Sequence, residues 1–125
     1  MADLTNVQIG SIVLNMIENV PTYISGTLLN LVNNEIYFAE QKTGDNIGTT
    51  VVDKYQPAII SLVASSVLKM MELQGVDASS ISMGDFTISK GQGSSSLAVA
   101  DKLREDGIEK LEVLGNKFTY YKALG

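Results

Sequence analysis

Residues Tyr55–Gly75, "YQPAIISLVASSVLKMMELQG", decide how the chain folds. Proline is tolerated only in the first turn of a helix, so Pro57 sets a helix start between Asp53 and Pro57. Gly75 is a good residue on which to leave it, because glycine takes left-handed backbone at no steric cost. In between, Ile59, Leu62, Val63, Val67, Met70 and Leu73 form one apolar stripe at helical spacing, and Ile60, Ala64, Leu68 and Met71 form a second. A helix apolar over so much of its circumference lies in the middle of a bundle or against a neighbouring subunit. Ser61, Ser65, Ser66 and Lys69 interrupt the run, which is too short to span a bilayer.

Toward the N-terminus the spacing predicts two more helices. Thr5 and Gln8 stand as a capping box ahead of Ile9, Ile12, Val13, Met16, Ile17 and Val20. Pro21 should end that helix, since the residue before a proline is pushed out of the α region. Pro21 then opens a second helix carrying Ile24, Leu28, Leu31, Val32, Ile36 and Phe38 toward Gln41, with Asn33-Asn34 as a point for a bend or early end. The glycines and the Asp-Asn pair of "QKTGDNIGTT" mark residues 41–50 as a loop.

Toward the C-terminus the period changes. Ile81 and Met83 share one side of a strand, and so do Phe86 and Ile88, but the phase slips at Gly84-Asp85. A two-residue hairpin turn or a bulge re-aiming a single strand explains the slip. "GQGSSS" (91–96) follows as a spacer with nothing to fill a core. Ser94 or Ser95 caps a last helix with Leu97, Ala100, Leu103, Ile108, Leu111 and Leu114, expected to stop at Gly115. Gly107 inside it costs about 1 kcal/mol relative to alanine and marks a close backbone approach. The fold class is therefore mainly α: a small four-helix bundle with a short β-hairpin or extended arm between the last two helices. Residues 1–115 form one domain, with the arm at about 77–96, and 116–125 form an extended, aromatic tail.

Composition narrows the chemistry. A length of 125 residues suits one domain with a real core. The chain has neither cysteine nor histidine, which removes disulfides, thiolate and imidazole metal sites and every His-based triad. Nine basic residues are scattered among fourteen acids, for a net charge of −5, so no patch is built to neutralise phosphates. "MADLTNVQIG" lacks the basic residues that open a signal peptide, and a soluble, non-secreted chain is expected.

Apparent catalytic motifs fail on order. In Lys90-Gly91-Gln92-Gly93 the lysine precedes the glycines, the reverse of a phosphate-binding loop, and no glycine at 96 completes a dinucleotide fingerprint. Ser66-Val67-Leu68-Lys69 and Lys42-Thr43-Gly44 echo penicillin-binding enzymes, but the second motif precedes the first and no S-D-N accompanies them. Asp101, Glu105, Glu109 and Glu112 share one helical face. Acids at i, i+4 repel by a few tenths of a kcal/mol and read as a solvated or partner-facing stripe rather than a metal site. No enzyme, catalytic residue, cofactor or metal is expected.

The succession "YQPAIISLVASSVLKMMELQGVDASSISMGDFTISKGQGSSS", "ADKLREDGIEKLEVLG" and "FTYYKALG" resembles the head–tail connector (adaptor or head-completion) proteins of tailed bacteriophages. The shared pattern is a long apolar helix starting near Tyr55 and Pro57, an extended stretch around Gly84-Asp85, a charged last helix ending "LEVLG" and an aromatic end. The resemblance implies a virion protein made in the bacterial host cytoplasm, forming a ring, typically dodecameric, beneath the portal. That ring joins capsid to tail and extends the DNA channel. Implied partners are copies of itself, the portal protein, a tail or stopper protein, and double-stranded DNA passing without specific binding; no membrane is involved. Met83, Phe86, Ile88, Phe118, Tyr120 and Tyr121 are the expected subunit and partner anchors, as large apolar or amphipathic side chains suited to an interface core. Asp101, Glu105, Glu109 and Glu112 are the expected channel lining, repelling DNA phosphates. Rival readings are a tail-side neck or completion protein and a non-viral small helical binding module.

Overall fold

Thr5 begins the first helix as its spacing predicts. Its Oγ1 accepts from the Gln8 backbone N–H at 3.2 Å, and the Gln8 side chain accepts from the Thr5 N–H at 2.8 Å. The computed structural model describes residues 3–17, 20–74, 80–83, 86–89 and 96–124, with side chains for 3–17, 20–74 and 97–115. The element order is β1 (Leu4–Thr5), α1 (Asn6–Met16), α2 (Thr22–Thr43), β2 (Thr50–Val51), a 3-10 turn (Asp53–Tyr55), α3 (Gln56–Leu73), β3 (Ser80–Met83), β4 (Phe86–Ser89) and α4 (Ser96–Leu124). The chain is a mainly α, four-helix bundle with a β-hairpin between the last two helices.

α3 is the central helix. It packs on α1, α2 and α4, and its buried residues come from both predicted stripes, including Ile59, Leu62, Val63, Val67, Leu68 and Met71. Of the two positions expected for so apolar a helix, the middle of the bundle holds: the stripes are taken up inside it, and Leu73 at the helix end is well exposed. The serines that interrupt the run fasten α3 to its neighbours: Ser65 Oγ donates to the Ala100 carbonyl at 2.7 Å, and Ser61 Oγ to Asp106 Oδ2 at 3.2 Å. Gly107 is the close approach that the sequence predicts. A Cβ there would lie 2.8 Å from Leu62 Cγ and 3.0 Å from the Ala58 carbonyl.

Several boundaries differ from expectation. α1 ends at Met16, short of the proline, because Ile17 takes extended backbone (φ −114°, ψ 121°) while staying buried. α2 runs unbroken through Asn33-Asn34; both are exposed, and Asn33 Oδ1 accepts from Asn6 Nδ2 at 2.9 Å, which ties α2 to α1. The helix takes in the first three residues of the predicted loop and ends at Thr43, where Gly44 (φ 75°) donates its N–H to the Glu40 carbonyl. Thr50, the last residue of that loop, and Val51 after it pair antiparallel with residues 4–5, Leu4 opposite Val51.

The largest correction concerns the C-terminus. α4 does not stop at Gly115, and the segment expected as an extended tail is helical to Leu124. Gly115 is a packing glycine rather than a cap: a Cβ on it would sit 3.1 Å from the Lys42 carbonyl. A glycine ends a helix when it turns left-handed, whereas here it lets α4 pass close to the end of α2. The expected stop at Gly75 and caps at Ser94 or Ser95 lie outside the described residues.

Candidate functional site

Of the two explanations for the phase slip at Gly84-Asp85, the hairpin holds. β3 and β4 pair antiparallel with Ser80 opposite Ser89, Ile81 opposite Ile88, Ser82 opposite Thr87 and Met83 opposite Phe86. Because strand residues alternate between faces, this register assigns Ile81, Met83, Phe86 and Ile88 to one face of the ribbon and the hydroxyl residues to the other. Three of the predicted anchors, Met83, Phe86 and Ile88, therefore share a face, and β3 comes close to α1. Phe118, Tyr120 and Tyr121 fall in the last turns of α4, on helical rather than extended backbone.

The acidic stripe is where its spacing puts it. Asp101, Glu105, Glu109 and Glu112 are all exposed on the outer side of α4, opposite the face that buries Leu103, Gly107 and Leu111. Lys69 Nζ lies 3.6 Å from Asp101, and on the adjoining face Lys110 Nζ lies 2.7 Å from Asp106. Pairs this exposed contribute little to stability, so the stripe keeps most of its negative field for whatever passes it. Ser66 and Lys69, spaced like a nucleophile and its base, have different partners: Ser66 Oγ donates to Glu35 Oε2 at 2.6 Å while Lys69 meets Asp101.

Two polar clusters escape the sequence reading. Glu35 is 7% exposed between α2, α3 and α4, where Ser66 and Arg104 bind its carboxylate, Arg104 Nη1 at 3.3 Å. The Arg104 guanidinium also lies 4.8 Å from the centre of the Phe38 ring. The signal was a carboxylate in the apolar phase of α2, beside Val32, Ile36 and Ala39. The second cluster orders the loop after α2. Glu40 Oε2 accepts from the N–H groups of Ile47 (2.8 Å) and Gly48 (2.9 Å), and Tyr55 donates its hydroxyl to Asp45 Oδ2.

Burial, and then the hydrogen bond to Asp45, push the Tyr55 phenol from its ordinary 10.0 up to about 12. A raised acid pKa means the folded chain holds the proton more tightly than the unfolded one. The associated stability is complete below pH 10 and is lost as pH rises through about 12. Subtracting the phenolate absorbance titration of Tyr55→Phe from that of the parent chain isolates this group. Its midpoint is expected near pH 12, and a midpoint near 10 would refute the contact with Asp45.

Among the described residues no helix is long and apolar enough to cross a membrane. No group of three or more acidic side chains among them is placed to hold a metal ion. No protein-family model, curated protein or solved structure matches the chain.

Proposed function

We propose that the chain is a non-enzymatic structural subunit of a tailed-phage virion, a head–tail connector that forms a ring beneath the portal and extends the DNA channel toward the tail. The observation that carries this reading is the β3–β4 ribbon, apolar by register on one face, inserted between a fully packed central helix and a long last helix. A helical body that carries a two-stranded ribbon suits subunit-to-subunit and subunit-to-tail contact, because strand edges bind through main-chain groups and alternate side chains fill pockets. The exposed acids of α4 suit a channel wall, since like charge keeps a DNA duplex moving without adhesion. In this reading Met83, Phe86 and Ile88 anchor the ribbon on its neighbour, Phe118, Tyr120 and Tyr121 meet the portal, and Asp101, Glu105, Glu109 and Glu112 face the lumen.

The test is native mass with and without the portal protein of the same genome. A ring-sized species in the mixture is the expected result. A chain whose mass is small and unaltered by the portal overturns the reading and favours a binding module or a position further down the tail.

A further inference from the structure

The β3–β4 ribbon has one apolar face and two calls on it. By register that face holds Ile81, Met83, Phe86 and Ile88, and two short strands are marginal in water unless such a face is covered. Within the chain the ribbon meets the helical body at α1, through β3. In the connector reading, Met83, Phe86 and Ile88 anchor the ribbon on a neighbouring subunit instead. One face does not serve both contacts at once. To bind a neighbour, the ribbon has to leave its own α1.

The ribbon is joined to the body by two links whose sequence suits that move. Residues 75–79 (GVDAS) connect it to α3 and residues 90–95 (KGQGSS) to α4. Val76 is the one large apolar residue in the two links, so their composition gives a core little to hold. Drawn out, links of this length reach about 17 and 20 Å, more than the width of a helix.

We propose that the ribbon is an exchangeable clasp, closed on its own α1 in the free chain and on the α1 of a second copy in the assembly. The receiving surface follows from the contact that β3 already makes, because every copy presents the same α1. A second copy is thus the one partner certain to carry a site for this ribbon. The exchanged contact repeats the closed one, so exchange is close to neutral in contact energy and is decided by the raised local concentration of an assembly. A ribbon handed from each copy to the next is a head-to-tail contact, the kind that closes into a ring. The inference rests on the connector reading and adds to it the receiving surface and the closed state of the free chain.

The chain has no cysteine, so Ser82→Cys, on the hydroxyl face of β3, supplies a single thiol for a benzophenone photo-crosslinker. Equal amounts of isotope-labelled and unlabelled full chain are mixed before assembly and irradiated with and without the portal protein of the same genome. Crosslinked peptides are then identified by mass spectrometry. In the monomer fraction, crosslinks to residues 6–17 should join peptides of one isotope only. In the ring-sized fraction the same residues should be crosslinked, with about half of the pairs of mixed isotope, the share expected when each ribbon comes from a random neighbour. If Ser82→Cys does not fold, Thr87→Cys on the same face of the ribbon takes its place. Single-isotope crosslinks in the ring-sized fraction mean that the ribbon stays on its own body; they overturn the exchange and leave the connector reading standing. Mixed pairs that avoid residues 6–17 overturn it as well, by giving the ribbon a different receptor. A chain that is monomeric in both samples removes the connector reading and the exchange with it.

Discussion

Gly107→Val is expected to lower the stability of the chain by about 3 kcal/mol, measured as a fall in the urea midpoint at constant slope. The cause is the approach of α4 to α3, where the first added carbon would already sit 2.8 Å from Leu62 Cγ and 3.0 Å from a backbone oxygen that cannot rotate away. Alanine at the same site gains about 1 kcal/mol of helix propensity and still overpacks the contact, so its loss is smaller, about 1 kcal/mol. Gly26 supplies the control. It lies within α2, and a Cβ on it meets nothing within 4 Å, so Gly26→Ala is expected to stabilise by about 1 kcal/mol. Opposite signs for the same residue type separate packing from propensity. Stabilisation by both alanine variants would mean that α3 and α4 do not touch at Gly107.

Arg104→Met should cost about 2 to 3 kcal/mol, because it strands the Glu35 carboxylate between three helices with only Ser66 left to it. The range sits at the low end for a broken buried pair because the Arg104 side chain keeps 30% of its exposure and water can reach the vacated site. The methionine retains most of the aliphatic contact, so the loss reports on the charge rather than on missing volume. Removing both partners, Glu35→Met with Arg104→Met, is expected to recover part of the loss, since it leaves no unpaired charge and only the Ser66 hydroxyl without its carboxylate acceptor. A single variant within about 0.5 kcal/mol of the parent would show that the cluster is solvated and carries no such penalty. The pair joins residues 35 and 104, so its energy holds the last helix to the second and counts toward the bundle as a whole.

Much of the bundle was legible from local pattern. The central place of α3 followed from apolar residues around most of its turn, and the capping box followed from the Thr5–Gln8 spacing. Gly107 was legible because a glycine in the middle of a charged, otherwise regular helix has no local use. Gly115 is the same residue in the same helix and was misread, since a stop and a close contact look alike until the carbonyl of Lys42 is known to lie across from it. The two-residue strands β1 and β2 carry no alternation, and only the return of residues 50–51 beside residues 4–5 makes them strands.

Helical pitch is a property of the chain itself, so the sequence alone determined which residues share a side: the α3 stripes, the exposed acids Asp101, Glu105, Glu109 and Glu112, and the uncharged run from Leu4 to Asn34 apart from Glu18. What each side meets was decided by the tertiary structure. Glu35 finds Arg104 across 69 positions, Tyr55 finds Asp45 across a loop, and Val7 and Leu29 come together beside a groove that neither helix has alone. Contacts of that kind depend on how close two helix axes come and how they are rotated, and those quantities are set by packing between segments rather than by periodicity within one.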